Sequence, residues 1–467
     1  MELTEDAVSG MFPDAAYLVL SSRLVPGLDG GYTIATLARA RQMAARDAAV
    51  QLLTVDPADA AAHAAHRAEF VARGMLPDGV PLRNLFDEAV APGGGAASWL
   101  RDAARAGATS TTGSGADAVS AVESDTAPRS SQVSRRVLAD AEGRPFVALP
   151  VISGDPDWHL SHAAVEVFDE HGAVAGTLAG FGALYRAWLS WVVSSSPRPV
   201  VVICESRQLG ELLADWSHPR ARIVHMIHTT HLEPPYTPDA PVNALWSRWF
   251  GLVDQFDAVV WPTRSQRDAV VARFGDRFGV NARNAVAPNG VELAGGELAG
   301  GDMAGGGPAG GGLAGGELAG GGLAGGGLAG AELASGELAG GDAAPVREPG
   351  LVVSLSRLAA GKRIDHVIRA FVAAAVPGAR LEIWGDGPER DRLAAVIDQL
   401  GAGDRVALRG ATADPAEVLA RASLFVTATA FEGQGLSIVE ALAAGVPVVS
   451  YDVRFGPRDI LEGGGGV

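Results

Sequence analysis

The sequence predicts an α/β protein built from two doubly wound, Rossmann-like domains. Two observations lead there. Short apolar runs alternate with helical patterns along the chain, and this alternation occurs once before and once after a long glycine-rich tract. The first run is followed by a glycine turn, a helical stretch and a second apolar run. Such β-loop-α-β units call for parallel strands, because a parallel pair needs a crossover long enough to hold a helix.

Taken in order, Ala16-Tyr17-Leu18-Val19-Leu20 reads as the first buried strand. Gly27-Leu28-Asp29-Gly30-Gly31 turns the chain, Thr33 to Ala45 is helical, and Val50 to Thr54 is the second strand. Residues 56 to about 110 are alanine-rich and predict helix. Ala108 to Ser134 is rich in Ser, Thr and Gly and predicts a looped or disordered insertion. From Arg135 to Val174, short runs alternate with the turn signals Glu142-Gly143 and Glu170-His171-Gly172, which predicts a small antiparallel β insertion. The whole insertion spans about 108–178. Strands follow at Val200 to Cys204, Ile223 to Ile227 and Ala258 to Trp261, with a helix from Ser265 to Phe274. This first domain is expected to cover 1–291.

Residues 292–341 form ten pentads beginning Glu-Leu-Ala-Gly-Gly. That much glycine loses more backbone entropy on ordering than one leucine per pentad returns, so 292–346 reads as a flexible linker. A coil of stacked five-residue rungs is the rival reading. The second domain, 347–467, carries strands at Leu351 to Leu355, Arg380 to Trp384, Val406 to Arg409, Leu424 to Thr427 and Val446 to Tyr451. Its helices fall at Ile364 to Ala375, Glu389 to Leu400, Pro415 to Ala422 and Ser437 to Ala444.

Composition narrows the function. The chain has 467 residues, 48% of them hydrophobic, enough for two or three domains with a sizeable core. A net charge of -17 argues against a nucleic-acid partner, which needs a cationic face for phosphates. One cysteine, Cys204, excludes an internal disulfide framework and a multi-cysteine zinc site. Met1 to Asp14 is acidic and has no apolar core, so it does not read as a signal peptide. The best candidate for a membrane span, Ala175 to Val193, is interrupted by Arg186 and three glycines. A cytoplasmic protein without a transmembrane segment is expected, with peripheral membrane contact left open.

Four stretches carry candidate chemistry. In Phe431-Glu432-Gly433-Gln434-Gly435-Leu436-Ser437-Ile438-Val439-Glu440, two carboxylates lie eight residues apart across a strand-to-helix turn. Gly433 and Gly435 allow close backbone approach, and the helix start at Leu436 offers amides and a positive dipole end suited to a diphosphate. Ser437 and Glu440 also fit an S-x-x-E capping box, so Glu440 has a purely structural reading as well. In Ser356-Arg357-Leu358-Ala359-Ala360-Gly361-Lys362, two cations five residues apart follow a strand end, where α/β ligand crevices form. They can clamp a diphosphate or stand as a solvated surface pair. Gly385-Asp386-Gly387-Pro388 is a strand-to-helix turn. In the first domain, Gly30-Gly31 lets backbone amides meet a phosphate or acceptor, and His225, His228 and His231 cluster at a strand end without a completing carboxylate or cysteine, so no metal is expected.

Together these stretches resemble the retaining glycosyltransferases of family 4, which have the GT-B architecture of two Rossmann-like domains facing a cleft. The Glu432 to Glu440 segment is similar to the family's E-x7-E motif. The resemblance implies that Glu432 lies near the transferred sugar and that Glu440 holds the nucleotide ribose. It also implies that Arg357 and Lys362 bind the diphosphate, that the Gly387 loop lies close to the nucleotide, and that a histidine, His228 or else His231, lies near the donor sugar. The donor is a substrate, so no cofactor is implied. Ser450-Tyr451-Asp452-Val453-Arg454-Phe455-Gly456-Pro457 and the β insertion resemble the subgroup of poly(glycerol-phosphate) alpha-glucosyltransferases, which act on teichoic acids. That implies a UDP-linked hexose donor and a polyol-phosphate or other glycan acceptor. In a retaining reaction of this kind the acceptor attacks on the leaving-group face, with the diphosphate as base.

Two departures stand against the family pattern. The pentads occupy the position of the interdomain hinge, and the chain stops at Val467 before the strand, helices and crossing helix that family members add, so the second domain is expected to be truncated. A non-catalytic nucleotide-sugar-binding homologue and a nucleotide-sugar epimerase are the alternatives. The E-x7-E spacing favours transfer over epimerisation. Oligomeric state is not legible.

Overall fold

The computed structural model describes residues 12–28, 30–110, 133–152, 160–275, 283–291, 347–412 and 414–467. The pentads lie outside these residues, as does 111–132 of the predicted insertion loop. Contacts divide the chain into two units, one of Met1–Gly290 with Phe431–Gln434, the other of Val291–Ala430 with Gly435–Val467.

The first unit contains strands β1 (Ala16–Ser21), β2 (Ala49–Thr54), β3 (Leu82–Asn84), β4 (Val133–Ala139), β5 (Pro145–Ile152), β6 (Val165–Phe168), β7 (Val174–Leu178), β8 (Val200–Cys204), β9 (Ala221–Met226), β10 (Ala258–Trp261) and β11 (Arg283–Val286). Its helices are α1 (Gly31–Ala44), α2 (Ala60–Ala72), α3 (Leu85–Glu88), α4 (Ser98–Ser110), α5 (Gly180–Ser194), α6 (Arg207–Leu213), α7 (Ala244–Phe250) and α8 (Arg264–Phe274). Seven strands form one sheet in the order β11-β10-β9-β8-β1-β2-β3, with every pair parallel.

Strand β1 shows why the sheet is buried on both faces. All six of its residues are buried. Side chains alternate along a strand, and Leu18 and Leu20 enter one core with Trp188 and Val192 of α5. Tyr17 and Val19 enter the other, with Leu37, Ala40 and Met43 of α1. Helices on both faces make continuous apolar strands the stable choice. The apolar stretch from Ala175 to Val193 is explained by the same core, because α5 buries Leu184, Trp188, Leu189, Val192 and Val193. No helix of the described residues is long and apolar enough to cross a membrane.

The predicted β insertion is a four-stranded antiparallel sheet, β4-β5-β6-β7, with Gly143 and Gly172 at positive φ in two of its turns. Its Phe146, Val147, Leu149, Val165 and Val167 share the core of α5. The sequence reading needs one correction here. The stretch 56 to about 110 is not all helix, because β3 adds an edge strand to the main sheet through Leu82, Arg83 and Asn84.

The second unit contains β12 (Leu351–Leu355), β13 (Arg380–Trp384), β14 (Val406–Gly410), β15 (Leu424–Thr427) and β16 (Val448–Ser450). Its helices are α9 (Ile364–Ala374), α10 (Arg390–Gln399), α11 (Pro415–Arg421), α12 (Leu436–Ala443) and α13 (Pro457–Leu461). The sheet is parallel in the order β14-β13-β12-β15-β16. One face packs on α9 and α10 through Val367, Ile368, Leu393 and Ile397. The other packs on α11 and α12 through Leu419, Ile438 and Ala441. Both units are therefore Rossmann-like. Each has a point where strand order reverses, between β1 and β8 in one and between β12 and β15 in the other. Ligand crevices open at the C-terminal strand ends at such points.

Candidate functional site

At the reversal point of the second unit, three loops converge. The first follows β12 and carries Arg357 and Lys362. The second, Gly385-Asp386-Gly387, follows β13. The third follows β15. Backbone bonds tie them together: Leu358 N–H donates to Asp386 O at 2.8 Å, Glu389 N–H to Leu358 O at 3.0 Å, and Ala430 N–H to Gly361 O at 2.8 Å. Glycine is required in the second loop. Gly385 and Gly387 have φ of 136° and 154°, and a Cβ at either would collide with the carbonyl oxygen of Ser356 or Leu358.

Helix α12 begins at Leu436. Its N-cap is Gly435, at φ 91°, and no side chain caps the helix. The capping-box reading of Ser437 and Glu440 is thereby overturned. A left-handed glycine takes the cap position, which places Ser437 inside the first turn and leaves the Glu440 carboxylate without that task. Burial pushes the Glu440 carboxyl above its usual range. Among the described residues, Arg357 is exposed and has no ion-pair partner, and Lys362 is half-buried. The second unit thus presents an uncapped helix start, a cation and a poorly solvated carboxylate.

At the reversal point of the first unit, Gly30 precedes α1 at φ 49°, ψ -123°, a conformation open to glycine, and Gly31 is the first helical residue. Glu205 follows β8 and is 2% exposed. The Arg39 Nε of α1 donates to its Oε1 at 2.8 Å. His228 Nε2 lies 2.5 Å from its Oε2. A second Arg39 nitrogen donates to Asn289 Oδ1 at 2.8 Å. Burial raises the Glu205 carboxyl, but Arg39 and His228 outweigh it and hold the group below the usual carboxylate range. The Tyr32 ring meets the His228 ring edge-on at 5.1 Å, and its hydroxyl bonds Ser21 Oγ at 2.8 Å.

The three histidines part company. His231 is 2% exposed and packs edge-on against Phe250 at 5.7 Å, as a core residue. His225 is fully buried, and burial drives its pKa down to about 3. His228 alone of the three meets Glu205. Among the described residues, no group of three His, Cys, Asp or Glu side chains could hold a metal ion.

The segment Phe431–Gln434 belongs to the first unit. There the Gln434 amide and the Asn289 backbone exchange two hydrogen bonds, of 2.7 and 2.9 Å. Gly433 lies over the His228 carbonyl, where a Cβ would collide. Glu432 is half-buried.

Sequence reasoning missed Glu205, and it gave Arg39 and Asn289 no role in a site. A charged residue directly ending an apolar strand at the reversal point was the available signal.

Residues 343–466 match the family model of glycosyl transferases group 1. The GtfA subunit of the UDP-N-acetylglucosamine–peptide N-acetylglucosaminyltransferase of Streptococcus gordonii is 38% identical over 120 residues, 25% of this chain and 24% of that protein. The poly(glycerol-phosphate) alpha-glucosyltransferase of Bacillus subtilis is 37% identical over 114 residues, 24% of this chain and 17% of that protein. The aligned part thus spans about a quarter or less of these curated relatives. The crystal structure of TarM superposes with a TM-score of 0.61 at 16% identity, covering 96% of this chain and 87% of that one. Residues 343–466 are thus related to glycosyl transferases group 1, and the chain has the two Rossmann-like domains of the GT-B fold.

Proposed function

We propose that the chain is a retaining hexosyltransferase that takes a UDP-linked sugar as donor and a hydroxyl of a polyol-phosphate polymer as acceptor. The observation that carries this reading is the convergence at the β12–β15 reversal point: the Arg357 loop, the Gly385–Gly387 turn and the uncapped start of α12. An uncapped helix start and an unpaired guanidinium suit a diphosphate, whose charge grows as the sugar leaves. Glu440, relieved of capping, is available to accept hydrogen bonds from ribose hydroxyls. Arg357, Lys362 and the α12 amides would stabilise the leaving diphosphate, and Glu432 and His228 would contact the transferred sugar. The acceptor oxygen bonds to the anomeric carbon on the face the diphosphate leaves, and its proton passes to the diphosphate. The domains act as 1–291 and 347–467, joined by the pentad linker. The donor nucleotide follows the first relative above, whose name specifies UDP-N-acetylglucosamine. The acceptor class follows the Bacillus enzyme and the Tyr451 to Pro457 motif.

The test is release of nucleoside diphosphate from a panel of nucleotide sugars, with and without poly(glycerol phosphate). Polymer-dependent release from a UDP-sugar, reduced about 100-fold or more in Glu432→Ala, is expected. Binding of UDP-sugar without turnover would instead identify a non-catalytic homologue. Loss of donor without any acceptor would identify an epimerase or hydrolase.

A further inference from the structure

We propose that Glu205 is a positioning residue that fixes which nitrogen of His228 carries a proton, with Arg39 fixing Glu205 in turn. The geometry is entirely internal to Met1–Gly290. The carboxylate is buried at the C-terminal end of β8, and each of its oxygens has a different partner. Oε1 accepts from Arg39 Nε at 2.8 Å, and Oε2 faces His228 Nε2 at 2.5 Å. A carboxylate can only accept, so Nε2 must be the protonated nitrogen and Nδ1 the variable one. A histidine serving a reacting centre needs this kind of outer support, since the partner of one nitrogen decides what the other can do.

Three of the titratable groups around Glu205 stay neutral. Tyr32 of α1 is a phenol whose pKa burial raises, so it stays neutral. The Cys204 thiol beside it is buried and pushed up to about 12. His225 of β9, at about 3, is neutral, and Arg207 lies at the start of α6. Arg39 and His228 are the only side chains bonded to the carboxylate among the described residues. Arg39 is itself held at its far end by Asn289. The chain of contacts runs from Asn289 through Arg39 and Glu205 to His228, and each link is directional. The inference rests on the glycosyl-transfer reading only for what His228 then does.

Glu205→Gln tests it by reversing one link. Arg39 can only donate, so it holds the amide oxygen at the Oε1 position. The amide nitrogen then faces His228, which must accept at Nε2 and move its proton to Nδ1. The readout is the 15N spectrum of histidine-labelled full-length protein at pH 8, with the His228 signals assigned by their loss in His228→Gln. Protonated Nε2 in the wild type and unprotonated Nε2 in Glu205→Gln is the expected result. An unprotonated Nε2 in the wild type overturns the proposal, and so does an unchanged tautomer in folded Glu205→Gln. If Glu205→Gln does not fold, the wild-type spectrum still decides. With turnover established, Glu205→Gln lowers kcat about tenfold or more, with little change in donor KM. It has no further effect in a His228→Ala background. An equal loss in both backgrounds would leave Glu205 a merely structural residue. Absence of turnover with every donor would count against the transferase reading and leave the tautomer result standing.

Discussion

The two reversal points are built from the same topology and filled in opposite ways. In the first unit the polar groups are spoken for: Glu205 has Arg39 on one oxygen and His228 on the other, and Arg39 reaches on to Asn289. The second unit differs. Arg357 has no ion-pair partner among the described residues, α12 has no side-chain cap, and Glu440 sits where burial disfavours its charge. A saturated site spends its polar groups on holding a shape. An unsaturated one keeps them for a ligand and gives up stability to do so. On the proposed reading, rigid positioning belongs to the first unit and charge recognition to the second.

Three substitutions break or sharpen this contrast. The largest effect is expected of Glu205→Ala, which leaves the half-buried Arg39 guanidinium without its carboxylate and should cost about 3 kcal/mol of stability. A denaturant titration of the whole chain measures it. Acid should act in the same direction. The folded-state pKa of Glu205 is lowered, so its contribution is present above the ordinary carboxylate range and is lost as pH falls through the lowered value. Next comes Arg357→Ala, which removes an exposed group and should leave the melting temperature nearly unchanged while lowering kcat about 100- to 1,000-fold. A large fall in thermal stability would show that Arg357 is structural and dissolve the contrast. The smallest effect overall is expected of Glu440→Gln. Removing a half-buried charge should leave stability the same or slightly higher, within about 1 kcal/mol, while raising the donor KM.

The fold was mostly legible because its strands are apolar runs bounded by turn residues. β10, β12, β13 and β15 were placed to the residue. What escaped was short or edge-placed. β3 has three residues, only one of them apolar, inside an alanine-rich stretch, and its pairing with β2 is a tertiary fact. β7 and β11 are similarly slight. At the candidate site, residues belonging to local motifs were found, because glycine turns and helix starts are written in consecutive positions. Glu205 was not, since its partner Arg39 lies 166 residues away. The capping box misled for a local reason. The pattern S-x-x-E was present, but Gly435 two residues earlier accepts the left-handed backbone that starts the helix, so the frame moved.

The interlocked backbone at Gly385 and Gly387 has a consequence for how the second unit evolves. Ser356 and Leu358, the residues flanking Arg357, press their carbonyls into the spaces where those two glycines lack side chains. The two loops therefore behave as a gear pair, and neither can be remodelled alone. New specificity at this end of the sheet would have to enter through side chains such as Arg357 or through the separate loop after β15, because a side chain at either glycine would push the meshed backbone apart.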